Sequence, residues 1–216
     1  MTLMTLMLGG TGQIFAKRTK VGRPWSESYV DLNNPSPIII YIGDSRVMYC
    51  TVGEENSDVR QNFAFIYVNG GILGHFWRIG GKLTSRVEEY LELYRPYHPT
   101  VVLNFGLNGN RYPEDNAAKI IETYGYWMED YPDIRFYVEG IGPTKKNKGV
   151  YSNSRINRLN AVLKAYYEPK GMWIDTYSSL KRSDLRDKLH YKKKTSRKIM
   201  QQIRERVESD IAAGRR

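Results

Sequence analysis

Apolar residues along this chain alternate between two regimes. Five short runs are almost continuously apolar, Pro37–Ile42, Phe63–Val68, Thr100–Phe105, Ile134–Glu139 and Met172–Asp175, and each is followed by turn residues. Their β-branched and aromatic content predicts buried strands. Between the runs the apolar spacing changes to three and four, the period of a helix with one buried face. Ser85 and Glu88 form a capping-box pair opening a helix that carries Val87, Leu91 and Tyr94. Asp115 to Met128 aligns Ala117, Ile120, Ile121 and Tyr124, and Ser154 is placed to cap a helix carrying Ile156, Leu159, Leu163 and Tyr166. From about Ser196 the positions Ile199, Ile203, Val207 and Ile211 recur at every fourth residue, leaving many Lys and Arg toward water. The least regular stretches are residues 1–36 and 51–62.

Strand and helix in alternation, with strands apolar on both faces, predict a parallel sheet covered by helices on each side. The 216 residues suffice for one sizeable core, and no repeat or Pro/Gly-rich linker divides them. The expected organisation is an irregular N-terminal extension over residues 1–36 followed by one α/β domain over residues 37–216. Ligands of such sheets bind outside the carboxyl ends of the strands. The residues just past each run are therefore the ones to inspect for chemistry.

The first run ends in Gly43-Asp44-Ser45, and the second in Asn69-Gly70-Gly71-Ile72-Leu73-Gly74-His75. The third ends in Gly106-Leu107-Asn108-Gly109-Asn110, and a short connection after the fifth leads to Asp184-Leu185-Arg186-Asp187-Lys188-Leu189-His190-Tyr191. A parallel sheet would bring these segments to one rim. They supply a hydroxyl, backbone N–H groups beside small residues, a side-chain amide, and a carboxylate near an imidazole, the inventory for acyl transfer through a serine ester. A serine hydroxyl needs a base, and the base needs a partner to fix its tautomer, which His190 and Asp187 fit. The oxyanion of a tetrahedral intermediate needs preorganised donors, which the Ser45 N–H, the Gly74 N–H and the Asn108 amide fit. Asp44 beside the serine is expected to brace the turn.

These four segments resemble the sequence blocks of the GDSL-type, or SGNH, serine hydrolases over roughly Pro37 to Val207. The blocks are Gly43-Asp44-Ser45-Arg46, the glycine of Gly70-Gly71-Ile72-Leu73-Gly74, Gly106-Leu107-Asn108, and Asp187-Lys188-Leu189-His190. The first is the GDSR variant found in bacterial members. The resemblance implies a flavodoxin-like three-layer αβα sandwich with a five-stranded parallel sheet. It also implies Ser45 as nucleophile, His190 as base and Asp187 as its acid partner. Two positions depart from the pattern: Gly109 stands where aspartate usually follows the asparagine, and Lys188 where glycine usually follows the aspartate. The first removes a side chain that would brace the loop.

Charge and composition refine the picture. The formal charge is +10, from 33 basic and 23 acidic residues, and residues 181–216 hold 13 Lys/Arg against 5 Asp/Glu. Such an excess attracts nucleic acid, anionic lipid or acidic glycan, or serves as a solvated helix face. Cys50 is the single cysteine, which excludes an intrachain disulfide and a thiolate metal cluster, and it is expected to be a small buried hydrophobe. Three scattered histidines argue against a metal site, and no cofactor is implied. His98 precedes the third run and belongs to the opposite end of the sheet. The opening MTLMTLMLGG is too short to span a bilayer and has no basic region before it, so localisation stays open.

The reading is an esterase that passes through an acyl-Ser45 intermediate and removes small O-acyl groups such as acetyl, on a small molecule or a glycan. Arg46, His75 and Trp77 are candidates for the substrate rim, and tyrosine and tryptophan faces suit sugar rings. Nucleic acid is not an expected partner. Two alternatives stay open: an O-acyltransferase using the same triad, and an inactive module that binds acidic polymers through the basic C-terminal helix.

Overall fold

The computed structural model describes residues 24–68 and 85–215. The strands are β1 (Pro24–Ser28), β2 (Ile39–Gly43), β3 (Phe63–Val68), β4 (Thr100–Asn104), β5 (Arg135–Glu139) and β6 (Trp173–Ile174). They make one sheet in the order β1-β3-β2-β4-β5-β6. β2 pairs in parallel with β3 on one side and β4 on the other, and β4, β5 and β6 continue in parallel. The chain leaves β2 first toward β3 and later returns to β4, so the order reverses at β2. That reversal opens a crevice at the carboxyl ends of β2 and β4.

The helices are α1 (Ser45–Cys50), α2 through 85–94, α3 (Pro113–Asp130), α4 (Asn153–Tyr167) and α5 (Lys193–Ala212). Side-chain alternation along the strands sorts them into layers. Ile40, Ile42, Ala64, Ile66, Val101, Leu103 and Phe136 pack with Val87 and Leu91 of α2, Ile120 and Trp127 of α3, and Leu159 and Leu163 of α4. Ile39, Tyr41, Phe63, Phe65, Val102 and Tyr137 face the other way, onto Val47 and Cys50 of α1 and Ile199, Ile203 and Val207 of α5. Burying an aliphatic or aromatic side chain of this size is worth about 1.5–3 kcal/mol, and both faces of every central strand contribute. The architecture is thus the three-layer αβα sandwich expected from the pattern.

Two expectations need correction. Among the described residues the sheet has six strands, and it is not wholly parallel: β1 lies antiparallel to β3, with Pro24 opposite Val68 and Ser28 opposite Ala64. This strand falls within the stretch read as irregular. Its Pro-Trp-Ser-Glu-Ser sequence lacks an apolar alternation because Ser26 and Ser28 are the inward residues, and the Ser28 hydroxyl lies 2.7 Å from the Tyr94 hydroxyl of α2. A polar strand can be buried when a facing helix brings a hydrogen-bonding partner. The helix starts also differ. α4 begins at Asn153 with Ser152 as its N-cap residue, placing Ser154 in the first turn, and α5 begins at Lys193, before the buried Ser196.

Candidate active site

Ser45 is held out by the local geometry at the end of β2. A Cβ on Gly43 would come 2.5 Å from the Asn104 carbonyl oxygen of the neighbouring strand, so only glycine lets β2 and β4 stay paired to their ends. Asp44 follows as the N-cap of α1: its carboxylate accepts the Arg46 N–H at 2.8 Å, and its carbonyl accepts the N–H groups of Val47 and Met48. Its side chain is 1% exposed, and burial raises the carboxyl above its ordinary range against the pull of the Arg46 charge and N–H. Asp44 therefore fixes the turn and does not reach the imidazole. Ser45 remains half-exposed at the first position of the helix.

The long connection after β6 brings the base. His190 Nε2 lies 3.0 Å from Ser45 Oγ, and His190 Nδ1 lies 2.9 Å from Asp187 Oδ2. The other Asp187 oxygen accepts the backbone N–H groups of Leu189 and His190, both at 2.8 Å. The carboxylate thus folds back over a single turn. Partial burial raises its pKa, but the two N–H groups and the imidazole outweigh this and hold it at about 2. Asp184 is turned elsewhere, its carboxylate accepting the Lys181 N–H at 2.7 Å to close a short helical turn.

Asn108 reaches the same crevice from β4. Its amide nitrogen lies 3.4 Å from Asp44 Oδ2, and its carbonyl accepts the Tyr151 hydroxyl at 3.3 Å. One N–H of the amide is thereby spent, and among the described residues the other has no hydrogen-bond partner. Gly109, the departure from the family pattern, has φ of 78°. Aspartate there would have to adopt a left-handed backbone, so the loop turns by conformation where a side chain would otherwise brace it.

Arg46 is not on a substrate rim. It is 3% exposed, and its guanidinium donates to the carbonyls of Leu189 (2.9 Å), Gly142 (2.7 Å) and Pro143 (2.6 Å) and to the Tyr191 hydroxyl (2.9 Å). It ties the helix bearing Ser45 to the loop after β5 and the loop bearing His190. A surface arginine and a buried one look alike in sequence, and the fork of donors finds its carbonyls only after folding. Tyr49 was equally missed: its ring packs on the His190 imidazole. Its position four residues after Ser45, on one helix face, is the signal that would have found it. His98 sits before β4 at the far end of the sheet, and Cys50 is buried in the core. Gly74, His75 and Trp77 lie outside the described residues. Among the described residues no group of three or more His, Cys, Asp or Glu could hold a metal ion, and no helix is long and apolar enough to cross a membrane.

No family model matches the chain, and no curated protein matches it by sequence. Solved structures do match in fold. A lipolytic protein of the G-D-S-L family from Veillonella parvula superposes with a TM-score of 0.55 at 15% identity, covering 79% of this chain and 97% of that one. The lipase/acylhydrolase from Enterococcus faecalis gives 0.60 at 14% identity, covering 80% and 96%. An acetylxylan esterase from Geobacillus stearothermophilus gives 0.52 at 10% identity, covering 79% and 94%. At these identities the likeness is one of fold, and the fold of this chain is that of the GDSL-type hydrolases.

Proposed function

We propose that this chain is a GDSL-type serine hydrolase that cleaves carboxylic esters through an acyl-Ser45 intermediate. The observation that carries the reading is the line Ser45 Oγ, His190 Nε2, His190 Nδ1, Asp187 Oδ2, with links of 3.0 and 2.9 Å at the carboxyl end of the sheet. In the first half-reaction Ser45 Oγ attacks the ester carbonyl as His190 Nε2 takes its proton, and Asp187 stabilises the imidazolium. The imidazolium then protonates the departing alkoxide. In the second, His190 takes a proton from water as the water attacks the acyl carbonyl, and the imidazolium returns that proton to Ser45 Oγ as the acid leaves. The second N–H of Asn108 and the backbone N–H of Ser45 are the donors proposed for the oxyanion.

The finer reading is a small acyl group, such as acetyl, on a carbohydrate. The fold shared with an acetylxylan esterase and the tyrosine rings of Tyr49 and Tyr151 near the reacting groups support it. The test is covalent. A fluorophosphonate should label the native protein once, at Ser45, and Ser45→Ala should lose both label and ester turnover while melting as the native protein does. Labelling of the variant at another residue would remove Ser45 from the mechanism.

A further inference from the structure

We infer that the ester is borne on a polyanionic glycan, gripped by cations of the active-site rim and not by the basic C-terminal helix. The inference rests on the hydrolase reading. The cations of α5 are largely committed within the fold. Lys193 pairs with Glu55 at 2.8 Å, Arg197 with Asp58 at 2.6 Å and Arg206 with Asp210 at 2.8 Å, and Arg204 donates to the carbonyls of Val59 and Gln61. Among the described residues Lys194, Lys198 and Arg204 are the α5 cations with no ion-pair partner, and of these Arg204 is spent on carbonyls and Lys198 Nζ on the Ser179 hydroxyl at 3.1 Å.

The rim is different. Segments 144–151 and 185–190 hold the cations Lys145, Lys146, Lys148, Arg186 and Lys188 against one carboxylate, Asp187, which serves His190. The two segments are joined, because the N–H groups of Lys145 and Lys146 donate to the Lys188 carbonyl at 3.0 and 3.3 Å. Among the described residues no carboxylate pairs with Lys146, Lys148 or Lys188, and all three are exposed. Two of the cations lie within two contacts of the reacting groups. Lys146 Nζ is 4.2 Å from the ring centre of Tyr151, whose hydroxyl meets Asn108. The Arg186 guanidinium is 5.1 Å from the ring centre of Tyr49, which packs on His190.

This placement is unfavourable for a neutral substrate. Catalysis makes an imidazolium of His190, and like charges close by oppose it. A bound polyanion reverses the sign of that effect. Cations on two joined segments suit a chain of repeating carboxylates better than a single small anion. The exposed residues of these segments are polar, which disfavours insertion into a lipid surface.

Binding can be read apart from turnover in Ser45→Ala protein, with polygalacturonate as probe and neutral xylan as control. The charged polymer should bind at least about ten-fold more tightly, and Lys146→Glu/Lys188→Glu should abolish that preference. Lys146→Arg/Lys188→Arg should retain it, as should Lys194→Glu/Lys198→Glu on α5. With the active protein, kcat/KM on O-acetylated polygalacturonate should fall about ten-fold from low to physiological salt, while acetylxylan stays flat. Equal affinity for the two polymers, loss confined to the α5 variant, or binding to anionic phospholipid vesicles in place of polygalacturonate would overturn the inference. Binding that persists with no acyl-Ser45 from any ester would overturn the hydrolase reading and leave the glycan site standing.

Discussion

The ring of Tyr49 lies against the imidazole of His190, with centroids 4.2 Å apart and planes inclined by 34°. Tyr49 belongs to the same short helix as Ser45, so the nucleophile and the surface that orients its base are set by one element. His190 is thereby fixed by three contacts: the serine hydroxyl, the Asp187 carboxylate and an aromatic face.

Removing that face should loosen the imidazole without touching the reacting atoms. An aromatic pair contributes about 0.5–1.5 kcal/mol beyond its buried area, equivalent to roughly a two- to ten-fold change in rate. Tyr49→Ala should lower kcat on p-nitrophenyl acetate by that factor with KM nearly constant, and Tyr49→Phe should restore it. An equal loss in Tyr49→Phe would assign the effect to the hydroxyl and reject the packing account.

Arg46 leads to a second expectation, on stability and activity together. Lysine keeps the charge but cannot reach the Leu189, Gly142 and Pro143 carbonyls at once, and each buried acceptor left unpaired costs about 1–3 kcal/mol. Arg46→Lys should lower the melting temperature by roughly 10 °C, at about 2–4 °C per kcal/mol for a chain of this size. Its kcat should drop too, because the loops bearing His190 and Ser45 are no longer tied. A variant with native Tm would show that the carbonyls are satisfied by water.

The acid partner can be decided by a pair of isosteric changes. Asp187→Asn should depress kcat by orders of magnitude, since the amide cannot stabilise the imidazolium and can stabilise the wrong tautomer. Asp184→Asn should stay within a few-fold, because an amide oxygen can still accept the Lys181 N–H. Steady-state kinetics on one small ester suffice, and the reverse ranking would place the triad on a different turn. Since the Asp187 carboxyl is held at about 2, it stays ionised through mild acid. The stability it adds is present above its ordinary 3.8 and is lost only as pH falls through 2.

How much of this was legible in the sequence depends on whether the signal was local. The five apolar runs, the Gly-Asp-Ser turn and the three-residue step from Asp187 to His190 are each contained within a few residues, and in the structure the runs are strands and Ser45, His190 and Asp187 form one hydrogen-bonded line. β1 was hidden because its inward residues are serines, and Ser28 finds its hydrogen-bonding partner in a tyrosine 66 residues away. Arg46 was misjudged for the same reason, since its partners lie 96 to 145 positions on. Excess charge in the C-terminal helix pointed to a surface for polyanions, but Glu55 and Asp58, from an irregular stretch, neutralise part of it. Sequence counts charges; only the fold says which are already paired.

Glu139, at the end of β5 under the active site, makes a last prediction because it is a carboxyl in the core. It is 2% exposed and accepts hydrogen bonds from the Tyr41 and Thr176 hydroxyls and, at 2.8 Å, from the Asn104 amide. Burial is the dominant influence on it and raises its pKa from the ordinary 4.5 to about 7, against the opposing pull of those donors and of Arg46. The folded protein therefore holds this proton more tightly than the unfolded chain does. Stability from this group is full below about 4.5 and is lost as pH rises through 7, a change on the order of 3 kcal/mol. Thermal melts should show the native protein several degrees less stable at about pH 8 than at about pH 5. Glu139→Gln, which keeps an acceptor oxygen and cannot ionise, should flatten that slope. If the variant keeps the native slope, the protons belong to another group, and Glu139 is ionised throughout, held by Arg46 and its three donors.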